Sequence, residues 1–339
     1  MALKKLGAQT VKLKNPPSIV SSYTIVGPKE GQGPLKKYFD LILDDDLWGQ
    51  ESWEKAESKI QEECIKAAIS AGGLSSSEID YLIAGDLLNQ IIASGYSARQ
   101  LGIPYFGLYG ACSTMTESLS LGSMLIDGGF GDKIMCATSS HFSTAERQFR
   151  FPLEYGNQRK PSAQWTVTGS GATLLSSMGT GPFVKYITTG KIIDPGIKDA
   201  TNMGAAMAPA AIDTLINHFQ DTGFDPSYYD LIISGDLGYV GKSIVIDMMK
   251  DKGYDLSKNY TDCGVEIYNK VEQDTHAGGS GCGCSGSVFN GYILKEMARG
   301  KFNKVLLMST GALHSTMMTQ QGESIPGIAH AVTIENKKD

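Results

Sequence analysis

Cys112 stands in the run YGACSTM, where Gly110 and Ala111 permit a sharp turn and a helical pattern begins just after the thiol. A cysteine at the head of a helix feels the positive end of the backbone dipoles, which favours thiolate and makes a nucleophile. A small buried hydrophobe is the other common use of a free cysteine, and the local sequence weighs the two evenly. Three of the five arginines, Arg147, Arg150 and Arg159, fall between residues 147 and 159, and Lys160 follows. Phe142, Phe149, Phe151, Tyr155 and Trp165 are interleaved with them. Guanidinium forks suit planar carboxylates and aromatic faces suit a flat ring; a solvated loop or a subunit contact is the plainer reading. Asp86 and Asp236 each end a short apolar run. Capping the next helix is the reading for Asp236, while Asp86 stays open between a cap and a Ca²⁺ ligand. His276 with Cys282 and Cys284 fits no zinc spacing, so a glycine-rich turn is expected there. Asp44–Asp46 reads as a solvated turn.

The elements that must hold these residues are written as a repeat. Residues 80–87 read DYLIAGDL and residues 230–237 read DLIISGDL, 150 positions later. Cys112 and Cys284 each open a helix pattern closed by a glycine, Gly128 or Gly300. A buried strand follows each, Lys133–Ala137 or Lys304–Met308, and then a small-polar run ending at His141 or His314. The second pair is offset by 172 positions, so an insertion of 22 residues is expected between Tyr239 and Thr275. Residues 54–72 predict an amphipathic helix ahead of the first repeat strand, and Pro209–Phe219 predicts its counterpart. Strands alternating with helices in two copies predict two α/β halves with mainly parallel sheets, residues 1–178 (including a 141–165 loop segment) and 179–339.

The 339 residues are 41% hydrophobic and 19% charged, enough apolar material for a folded core. The net charge of −6 comes without a basic stripe, so no nucleic-acid partner is expected. No run of about 18 apolar residues occurs, and the N-terminal stretch lacks the apolar core of a signal peptide. Six cysteines without small-scaffold spacing predict reduced thiols.

Small residues before a cysteine on a turn into a helix, in a duplicated α/β chain, resemble the thiolase and β-ketoacyl synthase superfamily. VTGSGATLLS (167–176) and GCGCSGSVFNGYIL (281–294) resemble its two glycine-rich stretches. The resemblance runs from about residue 18 to 335. It implies a five-layer αβαβα fold with two pseudo-twofold halves joined near residue 180, subunits paired through their first-half sheets as a homodimer, and Cys112 as the acyl-accepting position. Two departures stand out. Where the synthases carry a His-x-Ala-Asn type motif this chain reads Gly235-Asp236-Leu237-Gly238, and where they carry an Asn-Thr-Ser type turn it reads Cys282-Gly283-Cys284. The histidine and asparagine that condensation needs are missing, and an aspartate beside Cys112 raises a thiol pKa.

SSYTIVGPKEGQGPLKKYFD, LIAGDLLNQ, FGLYGACSTMTESL, HAGGSGCGCSGSVFNGYIL and MSTGALHS resemble the stage V sporulation protein AD family more closely still. That resemblance implies binding of dipicolinic acid, or its Ca²⁺ chelate, for uptake into the developing spore, with other SpoVA proteins at the inner spore membrane. No cofactor is implied, and Ca²⁺ enters only as part of the ligand. The expected binding set is Asp86, Cys112, Ser139, His141, Arg147, Arg150, His276 and His314, with the arginine-rich segment covering a pocket floored by Cys112. An acyltransferase or condensing enzyme using Cys112 is the alternative.

Overall fold

The computed structural model describes residues 3–149 and 158–338. Ten strands form the body of one sheet. The first five are β1 (Ser18–Val26), β2 (Tyr81–Gly85), β3 (Tyr105–Gly107), β4 (Lys133–Ser140) and β5 (Gly169–Ser176), in the order β3-β2-β4-β5-β1. The other five are β6 (Phe183–Thr188), β7 (Leu231–Ser234), β8 (Tyr260–Asp262), β9 (Lys304–Ala312) and β10 (Gly327–Glu335), in the order β8-β7-β9-β10-β6. The same order thus recurs, and so do the directions. β3, β2 and β4 run parallel with β5 antiparallel to β4, and β8, β7 and β9 run parallel with β10 antiparallel to β9. The halves meet where Ser18 of β1 pairs with Phe183 of β6.

Seven of the helices complete the frame: α1 (Trp53–Ala71), α2 (Ile92–Leu101), α3 (Thr114–Asp127), α4 (Phe142–Phe149), α5 (Met203–Thr222), α6 (Gly238–Asp251) and α7 (Cys282–Val288), whose helical run continues through Phe289–Ile293 and Leu294–Ala298. Strand alternation sorts them into layers. In β2, Leu82 and Ala84 face Ile60 and Ile65 of α1, while Ile83 joins a different core with Met115 and Leu119 of α3. In β7, Ile232 faces Leu215 of α5 and Val245 of α6, while Leu231 and Ile233 join that same inner core with Val288 of α7. A strand buried on both faces needs helices on both sides. The result is the five-layer αβαβα arrangement of a thiolase-like fold, with α3 and α7 in the shared central layer.

The glycine-rich stretches serve that layer. A Cβ on Gly171 of β5 would lie 2.1 Å from the carbonyl oxygen of Gly286 in α7, so only glycine lets helix and strand come this close. The insertion expected in the second half falls after β8, where residues 263–281 stand in place of the short link from β3 to α3. Expected elements and observed ones differ at their ends: the helix over 54–72 is Trp53–Ala71, and that over 209–219 starts earlier, at Met203, where Asn202 caps it through the Ala205 N–H at 3.4 Å. Among the described residues no helix is long and apolar enough to cross a membrane. All six cysteines are buried and free.

Candidate ligand cavity

Cys112 occupies a single tight turn, Ala111–Ser113, that leads into α3. Ala111 takes φ 50°, a left-handed conformation that a non-glycine residue adopts only under local constraint. The constraint is visible. Ser113 Oγ donates to the Gly110 carbonyl at 2.7 Å, and Gly311 of β9 lies so close that a Cβ there would be 2.4 Å from the same oxygen. The turn is wedged between a central helix and a second-half strand.

The thiol sits beside Asp236, two residues past the end of β7. Burial first, and then the Asp236 carboxylate to which it hydrogen-bonds, push the Cys112 thiol well above its ordinary value. The helix N-terminus does not win: of the two readings that the sequence left open, the structure favours the neutral thiol. Nor does Asp236 cap the following helix. It accepts from Gly281 N–H at 2.9 Å and from Thr310 Oγ1 at 2.8 Å, and burial raises its carboxyl to about 6. The capping falls to Asp262, which accepts from Leu237 N–H at 2.8 Å and Gly238 N–H at 2.9 Å.

A cavity of about 400 Å³ opens beside this pair. Cys112, Asp236 and Asp86 line it with His314, Thr166 and Ser280. Tyr109, Phe149, Met203 and Met207 give it apolar walls, and Asn89 and Gln148 add amide groups. Among the described lining residues none is Lys or Arg. Asp86 accepts from Leu88 N–H at 2.8 Å and from Ser94 N–H at 2.7 Å in the first turn of α2, which is the capping use. Burial raises its carboxyl to about 6. Glu57 of α1 lies near it, fully buried, its carboxyl pushed well above the usual carboxylate range by burial and by the Asp86 charge.

Of the other expected binding residues, four lie off the cavity wall. Ser139 donates to Glu57 Oε1 at 3.3 Å, behind Asp86. His141 donates from Nε2 to the Asp46 carbonyl at 2.8 Å and accepts from Ser143 N–H at 3.2 Å, so it ties the acidic turn to the start of α4. Arg147 pairs with Glu54 of α1 and stacks over Trp53, 5.4 Å from the ring centre. His276 bonds the Lys160 carbonyl at 2.8 Å and Asp274 at 3.0 Å. Arg150, Phe151 and Tyr155 lie outside the described residues. Phe142 stacks on Trp165 at 3.8 Å, and Arg159 lies 4.7 Å over that indole while bonding Asp274. Cys282 donates to the Ser139 carbonyl at 2.9 Å. Among the described residues no group of three His, Cys, Asp or Glu side chains is placed to hold a metal ion. Asp236 and the amides at Asn89 and Gln148 were absent from the expected set. The repeat pointed to Asp236, as the counterpart of Asp86; nothing local points to the amides.

The family model of stage V sporulation protein AD (SpoVAD) matches residues 7–335. Stage V sporulation protein AD of Bacillus subtilis (strain 168) is 46% identical over 333 residues, covering 98% of both chains. The chain belongs to the SpoVAD family. It is a sporulation protein on a thiolase-like frame, as two solved structures illustrate. A variant of OleA from Xanthomonas campestris matches with TM-score 0.64 at 15% identity, covering 95% of this chain and 97% of that one. Human mitochondrial 3-ketoacyl-CoA thiolase, solved with CoA, matches with TM-score 0.59 at 13% identity, covering 96% and 99%. At such identities these two relate the fold of this chain to those of OleA and the thiolase and nothing more.

Proposed function

We propose that the cavity beside Cys112 binds dipicolinic acid in the form of its Ca²⁺ chelate, without doing chemistry on it. The protein then serves uptake into the developing spore, at the surface of the inner spore membrane with other SpoVA proteins, as a homodimer joined through its first-half sheet. The observation that carries the reading is the Cys112–Asp236 pair: burial, and then the aspartate that stands where the synthases carry a histidine motif, favour a neutral thiol at the nucleophile position that the resemblance implies. The chelate is favoured over the free dianion by the lining. Two carboxylates, Asp86 and Asp236, face the space and Arg147 is engaged by Glu54, so a neutral complex meets less repulsion than a dianion. The flat ring suits Phe149 and His314, whose own rings lie 5.7 Å apart.

Isothermal titration with dipicolinate, with and without Ca²⁺, tests this. Saturable heat that requires Ca²⁺, weakened about tenfold by His314→Ala and unchanged by Arg147→Ala, is expected. A folded sample that gives no heat under either condition overturns it. A second reading, acyl transfer to Cys112, is favoured by the strained turn at Ala111. It predicts a mass increment on Cys112 after incubation with acyl-CoA donors.

A further inference from the structure

A second cavity, of about 720 Å³, lies far from Cys112 in sequence and chemistry. The strand Thr10–Lys12 pairs antiparallel with β6, setting Lys12 opposite Tyr186. That pairing gathers Lys4, Lys12, Lys14, Lys185 and Lys338 around one opening, with no Asp or Glu among the described lining residues. Two of the five are neutralised, Lys4 by Asp127 at 2.6 Å and Lys185 by Glu335 at 3.0 Å. Lys12, Lys14 and Lys338 have no acidic partner among the described ion pairs, and Lys5 and Lys337 are exposed on the same two segments. In a chain of net charge −6 this is a concentrated positive field. It is not purely ionic. Leu3 is 99% exposed and Leu6 45% exposed, and both border the opening. Solvent-facing leucines within a lysine cluster match the boundary between anionic headgroups and acyl chains, and gain nothing from a small soluble anion.

We propose that this face docks the protein on an anionic lipid bilayer, the lysines over headgroups and Leu3 and Leu6 against the acyl boundary. The inference stands apart from the ligand cavity and from any protein partner.

The test is co-sedimentation of the purified full chain with protein-free vesicles of phosphatidylglycerol and phosphatidylcholine, against vesicles of phosphatidylcholine alone. Binding to the anionic vesicles only, released by rising NaCl, is expected. Each lysine contributes roughly fivefold to such binding, so the Lys12→Gln, Lys14→Gln, Lys338→Gln triple variant is expected to bind on the order of a hundredfold more weakly. Thermal melting of the variant checks its fold, and the salt series on the unaltered chain gives a readout that needs no variant. Failure to bind protein-free anionic vesicles overturns the proposal and turns the face toward an acidic protein surface. Equal binding to neutral vesicles, or a folded triple variant that binds as before, overturns it as well.

Discussion

Asp236 decides what Cys112 is. Its carboxyl accepts from Thr310 and Gly281, so it cannot swing away, and its charge opposes loss of the thiol proton. Asp236→Asn keeps the size and an acceptor and deletes the charge. The thiol pKa is then expected to fall, and alkylation of Cys112 by iodoacetamide at pH 8 to quicken by roughly tenfold per unit of fall. Equal alkylation rates in the two proteins at every pH show that burial alone holds the thiol. The sequence carried half of this pair openly, because the departure from the His-x-Ala-Asn pattern marks position 236. It did not carry the reason that Arg147 is spent: its partner Glu54 lies 93 residues away on α1, and pairing across that span is a property of the packed helices.

At the scale of elements, periodicity and repeat made the strands legible. The two DYLIAGDL-type runs became β2 and β7, and the glycine stops Gly128 and Gly300 close the helices they were expected to close. The place of the insertion was legible only as an interval, because β8 is too short to show in the sequence as the counterpart of β3 and the segment 263–281 answers to nothing in the first half. Among the described residues β3 and β8 end the strand order, and on β3 Phe106 is 52% exposed. An edge of this kind pairs with another strand unless it is blocked. If the homodimer forms through β3, Phe106→Lys places like charges across the twofold and converts a dimer to a monomer in sedimentation equilibrium. A variant that stays dimeric at the same concentration moves the interface elsewhere.

The two halves of the molecule are also locked by a buried carboxyl. Glu30, in the first half, accepts from Thr168 N–H at 3.1 Å and bonds the hydroxyl of Tyr268 in the second half. It is 1% exposed, and burial raises its carboxyl from 4.5 to about 7. Between these values the folded chain keeps a proton that the unfolded chain has released. The stabilisation is full below about pH 4.5 and is lost as pH rises through about 7, a span worth about 3 kcal/mol for one group. His218 and His330 act in the opposite sense, since burial lowers both to about 4, and their charging destabilises the fold as pH falls from 6.5 toward 4. Asp86, Asp236 and Asp262, whose carboxyls burial also raises, act in the same sense as Glu30, and the measured profile is the sum of all these groups. Glu30→Gln retains a hydrogen-bonding side chain of the same length and removes the titration. In urea unfolding from pH 4.5 to 7.5, Glu30→Gln is therefore expected to gain stability relative to the unaltered chain as pH rises, the two curves diverging by about 3 kcal/mol across the range. Parallel curves mean that Glu30 is ionised in the folded protein at pH 6, and that the halves are joined there by a charged hydrogen bond instead of a neutral one.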